Sequence, residues 1–166
     1  MKKPNRPSHN IDIQRVFISV GQPDRRQIFT WVEKTLEESG KSYGCVIRIV
    51  DELESAELNF HYRQKQGPTN VLSFPFEWPE SLDVAEGGDT TLLGDLVICA
   101  PVVEKEALSQ HKPLLHHWAH MIVHGLLHLL GYDHIEEKDA EEMETKEIAI
   151  LKKLQIENPY LEVIHE

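Results

Sequence analysis

The sequence predicts an α+β fold: a single domain in which about four strands form one mixed sheet covered by helices. Three observations carry this prediction. The chain has 166 residues and an ordinary globular composition, which suits one domain with a core that needs no disulfide staples. Short apolar runs of strand length alternate with longer stretches whose apolar residues recur every three or four positions. The third and fourth strand-like runs are separated only by a loop containing Pro79, Gly87 and Gly88, which suits a hairpin rather than strict strand-helix alternation.

The elements follow in order. Residues 1–9 read as a flexible tail, residues 10–158 as the domain and residues 159–166 as a second tail. Ile11, Ile13, Val16, Phe17 and Ile18 suggest a first strand ending near Gly21. Pro23 and Asp24 open a helix that carries Ile28, Trp31, Val32, Thr35 and Leu36 at helical spacing and stops near Gly40. Gly44 to Val50 reads as a second strand. Asp51 is a good N-cap for a helix from Glu52 to Arg63, with Leu53, Ala56, Leu58 and Phe60 expected towards the core, and Gly67-Pro68 breaks it. Thr69 to Phe76 forms a third strand, which Pro75 confines to a sheet edge or terminates because proline has no N–H for the ladder. Trp78 to Asp89 is a surface loop, and Leu92 to Ala100 a fourth strand. Pro101 starts a helix running to about Gln110, a long helix follows Pro113, and a last one runs from about Glu136 to Lys153.

The long helix carries the chemistry. His124 and His128 are four residues apart, so a helix of about 3.6 residues per turn projects both from one face. Ile122, Leu126, Leu127, Leu129 and Leu130 give that helix an apolar body. Gly131 can take the left-handed conformation that ends a helix, so that His134 returns to the same point from a third direction. Three imidazoles point to one Zn²⁺ per chain, and the fourth position they leave open is that of a catalytic site rather than a structural one. The spacing matches the HxxxHxxGxxH frame of zinc proteases, but Gly125 stands where those enzymes carry the glutamate that acts as general base. Peptide hydrolysis is therefore disfavoured, and glycine at 125 is expected to leave room for substrate. His120, one turn before His124, reads as a core or helix-surface residue, with a supporting or fourth-ligand role as the alternative. Asp133 either orients a ligand or simply forms the turn.

The net charge of −11 is uneven: 11 basic residues stand against 9 acidic ones up to position 65, and 6 against 19 beyond it. Much of the acid lies in Glu136 to Glu147, read as the solvated face of a helix. Such a chain binds nucleic acid only through a local basic or metal-bearing cleft. Cys45 and Cys99 sit in apolar, strand-like surroundings and read as buried free thiols. No apolar run approaches the roughly 18 residues of a membrane span and the first ten residues are polar, so the expected location is the cytoplasm, with no membrane partner.

Taken together, the segment His124 to His134, Arg63 followed by Pro68-Thr69-Asn70-Val71-Leu72-Ser73-Phe74-Pro75, and Leu93-Gly94-Asp95-Leu96 resemble the YbeY family of bacterial rRNA maturation factors and single-strand endoribonucleases. The resemblance covers nearly the whole chain. It implies a zinc-dependent endoribonuclease acting in 16S rRNA 3′-end maturation and late ribosome quality control. The implied partners are single-stranded and ribosomal RNA, the small ribosomal subunit and its assembly factors. It implies His124, His128 and His134 as zinc ligands, and Arg63 and His124 as the residues carrying catalysis. Asn70 departs from the family pattern, in which many members carry Asp, so a carboxylate at that position is not required here. Read on its own, Arg63 at a helix C-terminus is also a simple surface cation aiding the helix dipole. Two other classes remain: a non-enzymatic ribosome assembly factor with a structural zinc, and another metal-dependent hydrolase.

Overall fold

Local signals start and stop the helices much as the sequence indicates. The computed structural model describes residues 9–76, 90–133 and 135–161. In chain order the elements are β1 (Asn10–Arg15), α1 (Arg25–Leu36), β2 (Ser42–Val50), α2 (Glu52–Arg63), β3 (Val71–Pro75), β4 (Thr90–Cys99), α3 (Ala100–Ser109), α4 (Leu114–Leu129) and α5 (Glu137–Lys153). Asp24 caps α1 in a capping box, its carboxylate accepting from the Gln27 N–H while the Gln27 side chain accepts from the Asp24 N–H. Asp51 caps α2 by accepting from the Glu54 N–H. Gly131 ends the turn after α4 at φ +105, where its N–H reaches the His128 carbonyl and the Tyr132 N–H reaches that of Leu127.

The four strands form one mixed sheet in the order β1-β2-β4-β3. β1 and β4 flank β2 in parallel, with Ile47 opposite Leu96 and Ile49 opposite Ile98. β3 pairs antiparallel with β4, Val71 opposite Ile98 and Ser73 opposite Leu96. This is the expected α+β arrangement. β3 is an edge strand and ends on Pro75, as a residue without a ladder donor demands. The expected loop Trp78–Asp89 lies outside the described residues; just before it, the Phe76 N–H reaches the Leu93 carbonyl. The first strand is shorter than its apolar residues suggest. Val16 and Phe17 both donate to the Ile49 carbonyl, which breaks the alternation, and Ile18 and Val20 beyond them are exposed.

One sheet face carries the main core. Ile47, Ile49, Leu96 and Ile98 pack with Ile28, Val32 and Leu36 of α1 and with Trp118, Ile122 and Leu126 of α4. A smaller cluster of Val50, Leu72, Val97 and Cys99 lies apart from it, with Leu58 of α2 and Val102 of α3 against it. Cys45 and Cys99 are buried and free, and burial pushes the Cys45 thiol up to about 12, which leaves it inert.

α2 corrects one expectation. Leu53 and Phe60 are exposed, at 70% and 60%, and the residues that α2 buries are Ser55 and Asn59. Both are small polar side chains used to fasten the following loop. The Ser55 hydroxyl donates to the Thr69 carbonyl and accepts from the Thr69 N–H, while the Asn59 amide donates to the Gly67 carbonyl. α2 thus holds the loop leading into β3 by hydrogen bonds rather than by the apolar stripe its sequence advertises.

Candidate metal centre

α4 is a central helix, touched by α1, α3, α5 and strands β3 and β4, and eleven of its sixteen residues are buried. A helix so enclosed holds its side chains in fixed rotamers, which suits residues that must converge. Of the five that are only partly buried, His124 and His128 line an open cleft of about 810 Å³. Arg63 at the end of α2, Asn70 and Ser73 of the β3 region, and Asp133 beyond the Gly131 turn line the same cleft. The structure therefore brings together Arg63, His124 and His128 from separate parts of the chain. His134, the expected third ligand, lies outside the described residues.

The two imidazoles meet Nε2 to Nε2 at 3.2 Å. Their other nitrogens fix what these atoms are. His128 Nδ1 is 3.1 Å from the Tyr132 carbonyl, which only accepts, so Nδ1 carries the proton. His124 Nδ1 is 2.5 Å from Glu147 Oε1 and donates to that carboxylate. In neutral rings both Nε2 atoms then bear lone pairs, and two lone pairs at this distance repel unless they share a cation. Tetrahedral Zn–N bonds of about 2.0–2.1 Å separate two ligand nitrogens by about 3.3 Å, so the residues present fit such an ion.

Glu147 is itself completely buried, and accepts further hydrogen bonds from His120 Nε2 at 3.0 Å and from the Tyr160 hydroxyl. Burial alone would push its carboxyl up, but the bonds from His120, His124 and Tyr160 outweigh this and hold it at about 2. Burial lowers the His120 imidazole against the opposing pull of Glu147. His120, His124 and Glu147 place one ligand atom each within 4.8 Å of one another, a donor set that could itself hold a metal ion. His124 thus faces two sets at once, through Nδ1 towards Glu147 and through Nε2 towards His128.

A second polar group adjoins the cleft. Asn70 donates its amide to both oxygens of Glu106, at 3.1 and 3.2 Å, and its own Oδ1 accepts from the Val71 N–H. Glu106 also contacts His117 Nε2 at 2.9 Å. Burial raises the Glu106 carboxyl, and the bonds from His117 and Asn70 bring it below its ordinary value. An amide is thus the group that position 70 needs here, because a carboxylate would face Glu106 directly.

Gly125 has a different role from the one its place in the motif suggests. A Cβ there would lie 2.7 Å from Leu96 Cδ2 and 3.2 Å from Val71 Cγ2, and the Gly125 carbonyl accepts from the Ser73 hydroxyl at 3.1 Å. The glycine lets α4 lie close on β3 and β4; the space it leaves is filled by the sheet, not kept for substrate.

Glu147, Tyr160, Glu106 and His117 were not legible as site residues. Glu147 had one signal within its acidic run: it falls four residues after Met143 and three or four before Ile150 and Leu151, all of them buried. Its partners lie 23 and 27 residues back in sequence, so nothing local identified them.

A family model described as endoribonuclease YbeY matches residues 11–155. A Methylococcus capsulatus protein named Endoribonuclease YbeY is 56% identical over 154 residues, spanning 93% of this chain and 97% of its own length. The solution structure of TM1509 from Thermotoga maritima is similar with a TM-score of 0.59 at 25% identity, covering 86% of this chain and 88% of that one.

Proposed function

The chain belongs to the endoribonuclease YbeY family, and from that premise we propose a zinc-dependent single-strand endoribonuclease that acts in 16S rRNA 3′-end maturation and late ribosome quality control. His124, His128 and His134 hold the ion in this reading, and Arg63 meets the substrate phosphate. The observation that carries it is the 3.2 Å approach of the His124 and His128 Nε2 atoms at the wall of the cleft that Arg63 also lines.

When bound, the ion supplies Lewis-acid polarisation of a phosphoryl oxygen. The remaining work falls to the chain. His124 and His128 fix the place of the scissile phosphate from a rigid, buried helix, which lowers the entropy of reaching the reactive geometry. Arg63 makes no ion pair among the described residues, so its guanidinium can fork onto two phosphate oxygens and balance charge that grows there in the transition state. This local cation matters in a chain of net charge −11, which otherwise repels RNA. The Ser73 hydroxyl is engaged with the Gly125 carbonyl and serves the wall of the cleft. In this reading the enzyme works in the cytoplasm on the small ribosomal subunit; no helix among the described residues is long and apolar enough to cross a membrane.

Metal analysis of the purified protein and of His124→Ala, prepared identically, tests the reading together with cleavage of a single-stranded RNA and of a 16S rRNA precursor. About one zinc per chain and cleavage of both substrates are expected of the unaltered chain, and neither of the variant. RNA cleavage that survives in the metal-depleted variant would sink the proposal.

A further inference from the structure

We propose that Glu147 is the positioning residue of the metal centre: its carboxylate holds His124 in the tautomer whose Nε2 lone pair faces His128. This rests on the reading that His124 and His128 bind the ion through Nε2.

The inference follows from what each atom can do. Glu147 has no exposed surface, so no water competes for its oxygens. An ionised carboxylate only accepts hydrogen bonds, hence each of its three neighbours must donate: His124 through Nδ1, His120 through Nε2 and Tyr160 through its hydroxyl. A neutral imidazole has one N–H. With that proton held at Nδ1 by Glu147, His124 presents its lone pair at Nε2; with nothing at Nδ1 the proton is free to sit on either nitrogen, and an Nε2–H cannot bind a metal. The other two donors keep the carboxylate in place. His120 projects from the turn of α4 before His124, and Tyr160 approaches from the segment after α5, so the carboxylate is held from two further sides while α5 carries its backbone. In this arrangement His120 is committed to Glu147 through Nε2, while its Nδ1 is buried with no partner.

The 2.5 Å contact also accounts for the His120–His124–Glu147 set without an ion inside it. Its two nitrogen-to-oxygen contacts, 2.5 and 3.0 Å, are both shorter than the distance of about 3.3 Å that separates two tetrahedral zinc ligands.

The test measures tautomer and affinity separately from cleavage. Long-range ¹H–¹⁵N spectra of the metal-free protein at mildly alkaline pH report which nitrogen of His124 is protonated; Nδ1–H is expected. Zinc affinity is then measured by chelator competition for the unaltered chain, Glu147→Gln and His128→Ala. A glutamine offers one acceptor where two histidines need one each, so zinc binding should weaken about 10- to 100-fold, with the His124 tautomer mixed, while circular dichroism stays native. His128→Ala should abolish tight binding. Unchanged affinity in Glu147→Gln alongside loss in His128→Ala would overturn the positioning role and leave the metal site standing. Full binding by His128→Ala would overturn the site reading itself. Zinc kept by His128→Ala but lost by Glu147→Gln would make the carboxylate a ligand and overturn both. If Glu147→Gln does not fold, the unaltered chain decides: a His124 proton on Nε2 refutes the proposal.

Discussion

Replacing Gly125 with alanine separates a packing role from a substrate-space role, because the two predict opposite signs for stability. In an ordinary helix position Gly→Ala stabilises by about 1 kcal/mol, since alanine loses less backbone freedom on folding. Here the added carbon would stand 2.7 Å from Leu96 Cδ2, 3.2 Å from Leu96 Cδ1 and 3.2 Å from Val71 Cγ2. Carbon atoms settle at about 3.5–4.0 Å, so the nearest contact falls short by about 1 Å. Both Leu96 methyls are approached and Leu96 is fully buried, so its side chain has little room to turn away. Overpacking of this kind costs about 1–3 kcal/mol, and the net expectation is a loss of about 1 kcal/mol. Any retreat of α4 would also stretch the Ser73–Gly125 hydrogen bond beside His124. Urea unfolding of metal-free protein measures it as a lower midpoint at unchanged slope. Gly125→Glu should lose more, at least about 3 kcal/mol, because the first carbons of a charged side chain enter the same apolar gap. That variant is accordingly no clean test for latent peptidase activity. A Gly125→Ala protein as stable as the unaltered chain, or more stable, would refute the packing account.

Arg63→Lys should leave the fold intact, as Arg63 is exposed at the end of α2, yet lower kcat/KM for RNA at least about tenfold, because an ammonium cannot make the paired contact; full activity would leave only charge as its role. Asn70→Asp places a carboxylate against Glu106 and should destabilise by about 1–2 kcal/mol at neutral pH, with partial recovery on acidification; an unaltered urea midpoint would count against the contact. Metal-free protein should weaken on acidification in two steps. The folded His120 imidazole titrates below its ordinary 6.5, so stability is full above that value and declines as pH falls beneath it. Glu147 is held at about 2 against an ordinary 4.5, so a second decline begins below 4.5 and continues towards 2. A urea midpoint that rises between pH values of about 7 and 5 would contradict the sign.

The sequence alone determined what residues a few positions apart can settle. The pairing of His124 with His128 follows from helical spacing, the end of α4 from Gly131, the starts of α1 and α2 from Asp24 and Asp51, and the edge position of β3 from Pro75. Each depends on backbone geometry within one turn, so the residues that decide it are neighbours on the chain. The tertiary structure decided the rest, because the partners are distant in sequence and chosen by packing. Glu147 reads as part of a solvated acidic face until α5 lies against α4 and turns it onto His120 and His124. Ser55 and Asn59 take the buried face of α2 that Leu53 and Phe60 seemed to claim, because what crosses α2 is the backbone of Gly67 and Thr69, which needs hydrogen bonds rather than apolar cover. Gly125 reads as a missing catalytic base in one dimension; in three it is the point where helix and sheet come too close for a methyl group.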